Sequence, residues 1–143
     1  MGVPKKYLDR LQYVQNSAAR VLTRTKPWQH ITPTLKQLHW LPVKHRINYK
    51  LLLLTYKCQN NLAPQYLSGL FQDKPTMART LRSADLDLLP VPNAKKRTFG
   101  DRAFSAAAPT LWNSLPLEIH HAATLDSFKA ALKRHLFAQA YGI

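Results

Sequence analysis

The chain has 143 residues, enough for one domain with its own core, and its 45% hydrophobic and 10% aromatic content excludes wholesale disorder. Twenty-one Lys and Arg against seven Asp and Glu leave a formal charge of +14, which favours a polyanionic partner, either nucleic acid or an anionic surface. Cys58 is the only cysteine, so an internal disulfide is excluded.

The charge is uneven. Residues 1–72 carry eleven cations and one acid, Asp9, whereas residues 73–143 carry ten cations and six acids. The lone Cys58 suits a reducing compartment, so an intracellular location, cytoplasmic or nuclear, is expected. The longest pure aliphatic run, Leu51 to Leu54, is too short to span a bilayer. The opening "MGVPKKYLDR" has no apolar core of a signal peptide, and Lys6 stands where a myristoylation motif requires Ser or Thr. No membrane partner is expected.

In chain order, residues 5–25 place Leu8, Leu11, Val14, Ala18 and Val21 at steps of three and four, one stripe of an amphipathic helix that Pro27 ends. Thr32 before Pro33 reads as the N-cap of a short helix. Pro42 opens a longer helix over 42–60, with the stripe Val43, Ile47, Leu51, Leu54 and Cys58 and a cap at Asn60-Asn61. Leu52 and Leu53 widen that stripe, which marks this helix as the core helix. A short helix begins at Pro64. Residues 72–98 lose periodicity around Pro75, Pro90 and Pro92 and read as irregular or briefly extended. From Arg102 to Leu115 the pattern is a helix broken at Pro109, or two helices with the second starting there. "TLDSFKAALKRHLF" is a helix with Thr124 as N-cap and the stripe Leu125, Phe128, Leu132 and Leu136. The fold expected is mostly α: one domain over 1–143, a compact bundle of about five or six helices with a Pro-rich excursion.

Catalytic signals are weak. Asp85 and Asp87 are two apart, but the other five acids are scattered, and two-metal chemistry needs several carboxylates on two ions. The six histidines show no HxxxH spacing, and one cysteine makes no zinc knuckle. Ser105, Ser114 and Ser127 lack a G-x-S-x-G elbow, and four glycines make no phosphate-cradling loop. No enzymatic activity, cofactor, metal or small-molecule substrate is expected.

Basic clusters with aromatics remain. Lys95, Lys96, Arg97 and Arg102 surround Phe99, and Arg79 and Arg82 precede them. Lys44, Arg46 and Lys50 on the long helix make a second patch. Arg and Lys neutralise phosphates, so both patches are candidate nucleic-acid contacts; "KKR" also resembles a weak nuclear-localisation signal. Phe99, Phe104 and Trp112 are expected in the core rather than stacked on bases.

The blocks "LQYVQNSAARVLTRT", "HITPTLKQLHWLPVKHRINYKLLLLTYKCQNNLAPQYLSGL", "RTLRSADLDLLPVP", "KKRTFGDRAFSAAAPTLWNSLP" and "LDSFKAALKRHLF" resemble, in order from about Tyr7 to Phe137, the segment after the polymerase domain of LINE-type, non-long-terminal-repeat retrotransposon reverse transcriptases. That resemblance implies a truncated accessory segment working on RNA and DNA, with Met1 marking where a shortened copy acquired a start. The family's endonuclease and polymerase domains and its Tyr-x-Asp-Asp motif do not occur in this sequence. The function expected is therefore non-catalytic RNA or DNA binding. One alternative is a protein-interaction segment that docked on a polymerase domain, marked by an exposed apolar patch around Leu51–Leu54 or Trp112. The other is a translated remnant without selected function.

Overall fold

The structure, a computed structural model, describes residues 3–69, 88–91 and 104–142. The chain is mostly helical: α1 (Lys5–Thr23), α2 (Thr32–Gln37), α3 (Val43–Gln59), α4 (Gln65–Ser68), α5 (Phe104–Trp112), α6 (Leu117–His120) and α7 (Leu125–Tyr141). No strand occurs among the described residues. The chain packs as two compact units. Residues 3–49 and 133–142 form the terminal unit, and the described residues between 50 and 132 form the central unit. The division falls inside α3 and inside α7.

In the terminal unit, α1 corrects the sequence reading. Its apolar stripe is on the outside: Leu11, Val14 and Val21 are 52%, 63% and 78% exposed, and the residues buried are Gln15 and Ala19. Polar ties to distant backbone groups decide which face turns in. The Gln15 side-chain amide donates to the Leu41 carbonyl at 2.8 Å. Gln12 Oε1 accepts the Val43 N–H at 2.9 Å, which satisfies one of the donors at the start of α3 that have no intrahelical partner. Ala19 is wholly buried, and α1 packs against α2.

Three helices end alike. Arg24, His39 and Asn61 follow α1, α2 and α3 with φ of 54°, 53° and 55°. The amide after each reaches back five residues, from Thr25 to Arg20, Trp40 to Leu35 and Leu62 to Lys57. This left-handed closure satisfies carbonyls that the helix leaves open. The cap expected at Asn60-Asn61 is present. At α2, Thr32 is the first helical residue and Ile31 precedes it without a side-chain cap, one residue earlier than the sequence suggested. The end of α7 completes the terminal unit. The Phe137 ring lies 5.8 Å from His39 and 4.7 Å from Tyr141, and the Tyr141 hydroxyl donates to the Trp40 carbonyl.

The central unit is built on aromatic stacking. Phe128 is fully buried between Tyr56, 4.2 Å away, and Trp112, 5.9 Å away. His120 stacks on Trp112 at 4.7 Å, and its Nε2 bonds the Trp112 carbonyl at 2.9 Å. The Tyr56 hydroxyl donates to the Ala122 carbonyl at 3.0 Å. Trp112 is 1% exposed, so the core role expected for it is met. Pro109 sits inside a continuous α5 and does not split it. Lacking an N–H, it leaves the Ser105 carbonyl without its usual helical donor. The one-turn α6 after Pro116 was not foreseen. Residues 88–91 are irregular and are pinned by Asn113, whose side chain exchanges two 2.9 Å bonds with the Leu89 backbone. At the N-cap of α7, Thr124 Oγ1 accepts the Ser127 N–H and Ser127 Oγ accepts the Thr124 N–H, both at 3.2 Å. The Thr124 cap is therefore as expected.

Candidate nucleic-acid interface

The first predicted patch, Lys95, Lys96, Arg97 and Arg102, lies outside the described residues, as do Arg79, Arg82, Phe99, Asp85 and Asp87. The second patch is described. Lys44, Arg46 and Lys50 are all exposed on α3. Helical phase divides them: at 100° per residue, Arg46 and Lys50 stand one turn apart on one side, and Lys44 projects from another.

The division into units sorts the charge in a way the sequence order hides. The terminal unit gathers eleven Lys and Arg against a single acid, Asp9, because Lys133 and Arg134 near the end of the chain join the basic residues of the first 49. Among the described residues one ion pair forms, Lys129 with Asp126 at 2.9 Å, and it belongs to the central unit. Among the described residues none of the terminal unit's cations pairs with a carboxylate.

Within that unit the structure displays an aromatic that sequence reasoning passed over. Trp28 is 77% exposed in the turn between Lys26 and Gln29. The turn is braced from α1: the Arg20 guanidinium donates to the Lys26 and Gln29 carbonyls, and Gln29 Oε1 accepts the Lys26 N–H at 3.0 Å. Lys26 Nζ stands 5.3 Å from the Trp28 ring centroid, within range of its π-cloud. Arg24 and His30 beside the turn are exposed as well. The signal was present in "RTKPWQH", an aromatic set among cations next to a proline turn. Burial of large aromatics is the common case, and that expectation masked it.

The histidines do not converge on chemistry. His45 is half-buried, and its Nδ1 has no hydrogen-bond partner among the described residues. Burial, with the Lys44 charge beside it, pushes its pKa below the ordinary histidine value. No group of three His, Cys, Asp or Glu residues capable of holding a metal comes together among the described residues. Burial raises the pKa of the Cys58 thiol, which keeps it protonated.

The apolar patch expected of a docking segment is not where the sequence suggested. Trp112 and Leu52 are buried, and Leu51, Leu53 and Leu54 are half-buried. The exposed apolar side chains cluster instead on α1, where Tyr7, Leu11, Val14, Val21 and Leu22 all face solvent. No helix among the described residues is long and apolar enough to cross a membrane. No protein-family model, curated protein or solved structure matches the chain.

Proposed function

We propose that the chain is a non-catalytic RNA- or DNA-binding accessory module, of the kind that follows the polymerase domain in LINE-type reverse transcriptases. The observation that carries this reading is the terminal unit's eleven cations against Asp9, none of them in an ion pair with a carboxylate of the described residues. Such a surface gains by releasing counterions from a phosphate backbone. Trp28 adds a contact of a second kind. A braced, exposed indole offers a face on which an unpaired base stacks, whatever its sequence, while Lys26 and Arg24 reach the flanking phosphates. Arg46 is a further candidate phosphate contact of the terminal unit, and Lys50 and the "KKR" run at 95–97 are candidates in the rest of the chain.

The test is a titration with hairpin RNA, single strands and duplex DNA over a salt series. Engagement of about six duplex phosphates gives a log–log slope near −5, and a shallower one for single strands. Replacing Arg24 and Lys26 with Gln should lower the slope by about two, one per lost phosphate contact. Trp28→Ala should weaken single-strand binding by about 1–3 kcal/mol and leave the slope unchanged, because stacking releases no counterions. A wild-type slope near zero would remove the proposal. A slope retained in every variant of the terminal unit but lost in Lys95→Ala/Lys96→Ala/Arg97→Ala would move the site to that run.

A further inference from the structure

The outer face of α1 is organised for a partner of a different kind. Tyr7, Leu11, Val14, Ala18 and Val21 follow one another at intervals of four, three, four and three, and all five are exposed. That alternation is the a/d seam of a coiled coil, sustained over two heptads and roughly 21 Å of helix. Leu8 and Leu22 widen the stripe at one border, Leu8 half-buried and Leu22 exposed. The seam is also free to be used. Gln12, Gln15 and Ala19 attach α1 through another face, and the seam residues stand largely in solvent.

We infer that the α1 seam docks an amphipathic helix of another protein, one whose apolar stripe is flanked by Asp or Glu. Charge selects this occupant. Arg10 occupies a position that borders the seam, Lys6 lies behind it on the same side, and Arg24 stands at its C-terminal end. All three are exposed, and none forms an ion pair with a described carboxylate. The opposite border, at Gln15, is turned into the protein, so a docked helix meets charge on one side only. A second copy of the chain is a poor occupant. Its terminal unit offers one carboxylate, Asp9, which falls on the side of α1 away from the seam, and two such units bring eleven cations toward eleven. An anionic bilayer matches the charge but not the shape. The seam has Val and Ala at its centre, no Trp or Phe, and a basic border on one side, whereas interfacial helices carry a wide bulky apolar face between cationic edges.

The probe is a synthetic 21-residue peptide with Leu at a and d and Glu at e and g, whose like charges disfavour its own pairing at neutral pH. Its controls are the same peptide with Lys for Glu, and the Glu peptide scrambled to break the seam. Binding to the full chain is read by fluorescence anisotropy, with circular dichroism confirming that each variant is folded. The Glu peptide should bind, and both controls should bind at least tenfold more weakly. Leu11→Asn and Val14→Asn, at exposed positions, should each weaken the Glu peptide about tenfold, and Arg10→Glu should weaken it several-fold. Equal binding of the scrambled peptide would reduce the effect to bulk charge and overturn the inference. So would indifference to both seam substitutions. A dimer in sedimentation equilibrium that Val14→Asn dissolves would assign the seam to a second copy. Uptake by phosphatidylserine vesicles that Val14→Asn abolishes, without peptide binding, would assign it to lipid.

Discussion

Three left-handed residues show how single side chains set this fold's stability. Arg24, His39 and Asn61 close α1, α2 and α3 at positive φ, a region that costs most L-residues about 1–2 kcal/mol and glycine nothing. The chain has only four glycines, and none stands at these ends. Arg24→Gly should therefore stabilise by roughly 0.5–1 kcal/mol, relief of strain exceeding the added freedom of the unfolded chain. Asn61→Gly should give less, since Asn tolerates this conformation. His39→Gly should give nothing, because it forfeits the ring stack on Phe137. Urea midpoints for the three variants check the order, and an unchanged Arg24→Gly would mean that its closure is not strained. A second residue makes stability depend on acidity. His45 has a folded pKa below its ordinary value of 6.5, so below that pH the unfolded chain binds a proton that the folded chain refuses. Stability is full above pH ~6.5 and falls as the pH drops through the window down to the lowered pKa. His45→Gln should flatten that fall, measured as Tm at pH 7.5, 6 and 5. An equal fall in the variant would assign it to other groups.

At the level of the element, periodicity located the long helices and found the buried face of α7, where Phe128, Leu132 and Leu136 lie in the core as expected, but it misjudged how α1 and α3 face. In α1 the apolar stripe is centred near Ala18, but the packed face runs through Gln12, Gln15 and Ala19, roughly a quarter turn away. In α3 the predicted stripe is half-buried from Val43 to Leu54 and buried only at its last member, Cys58, whereas the other buried residues, Asn48, Leu52, Thr55 and Tyr56, are again displaced by roughly a quarter to a third of a turn. The reason is physical. A hydrophobic pattern finds apolar residues, while these faces include buried polar ones, of which Gln15 and Thr55 are held by side-chain bonds. Gln15 reaches a carbonyl 26 residues away, and Thr55 Oγ1 returns its hydrogen to the Leu51 carbonyl at 2.9 Å. No local window contains the first of those partners. Caps were legible where the chemistry is local, at Thr124 and Asn61, and the single turn of α6 was too short to carry a period. The orientation of α1 is open to a direct measurement. Leu11→Gln should change stability by no more than about 0.5 kcal/mol, as for an exposed site. Ala19→Leu should cost about 1–3 kcal/mol by overpacking a wholly buried site. The reverse order in chemical denaturation would return the stripe to the core.

Taken whole, the molecule concentrates its charge more than its sequence order reveals. The imbalance of +14 was legible from composition, and so was the basic bias of the first half. What composition could not supply is that Lys133 and Arg134, more than eighty positions beyond Tyr49, fold into the same unit as the N-terminal cations. Only the path of the chain decides that. The same path explains why the exposure of Trp28 was missed and the core role of Trp112 was not: Trp112 stacks on His120 and Phe128, while Arg20 braces the turn that holds Trp28 in water. Cations gathered with one acid among them repel, and the repulsion lowers the stability of the folded unit. Salt screens it, with a Debye length near 10 Å at 0.1 M and 30 Å at 0.01 M. Raising NaCl from 10 to 300 mM should therefore raise Tm by several degrees in the absence of any ligand. If the terminal unit is the source, Lys133→Gln with Arg134→Gln should raise Tm at low salt and flatten the salt response. Lys129→Gln in the central unit should do neither, because Lys129 has Asp126 as partner and an exposed pair of this type contributes little. A protein whose Tm is indifferent to salt, or whose response follows Lys129, would show that the terminal unit's cations are spaced widely enough not to oppose its folding.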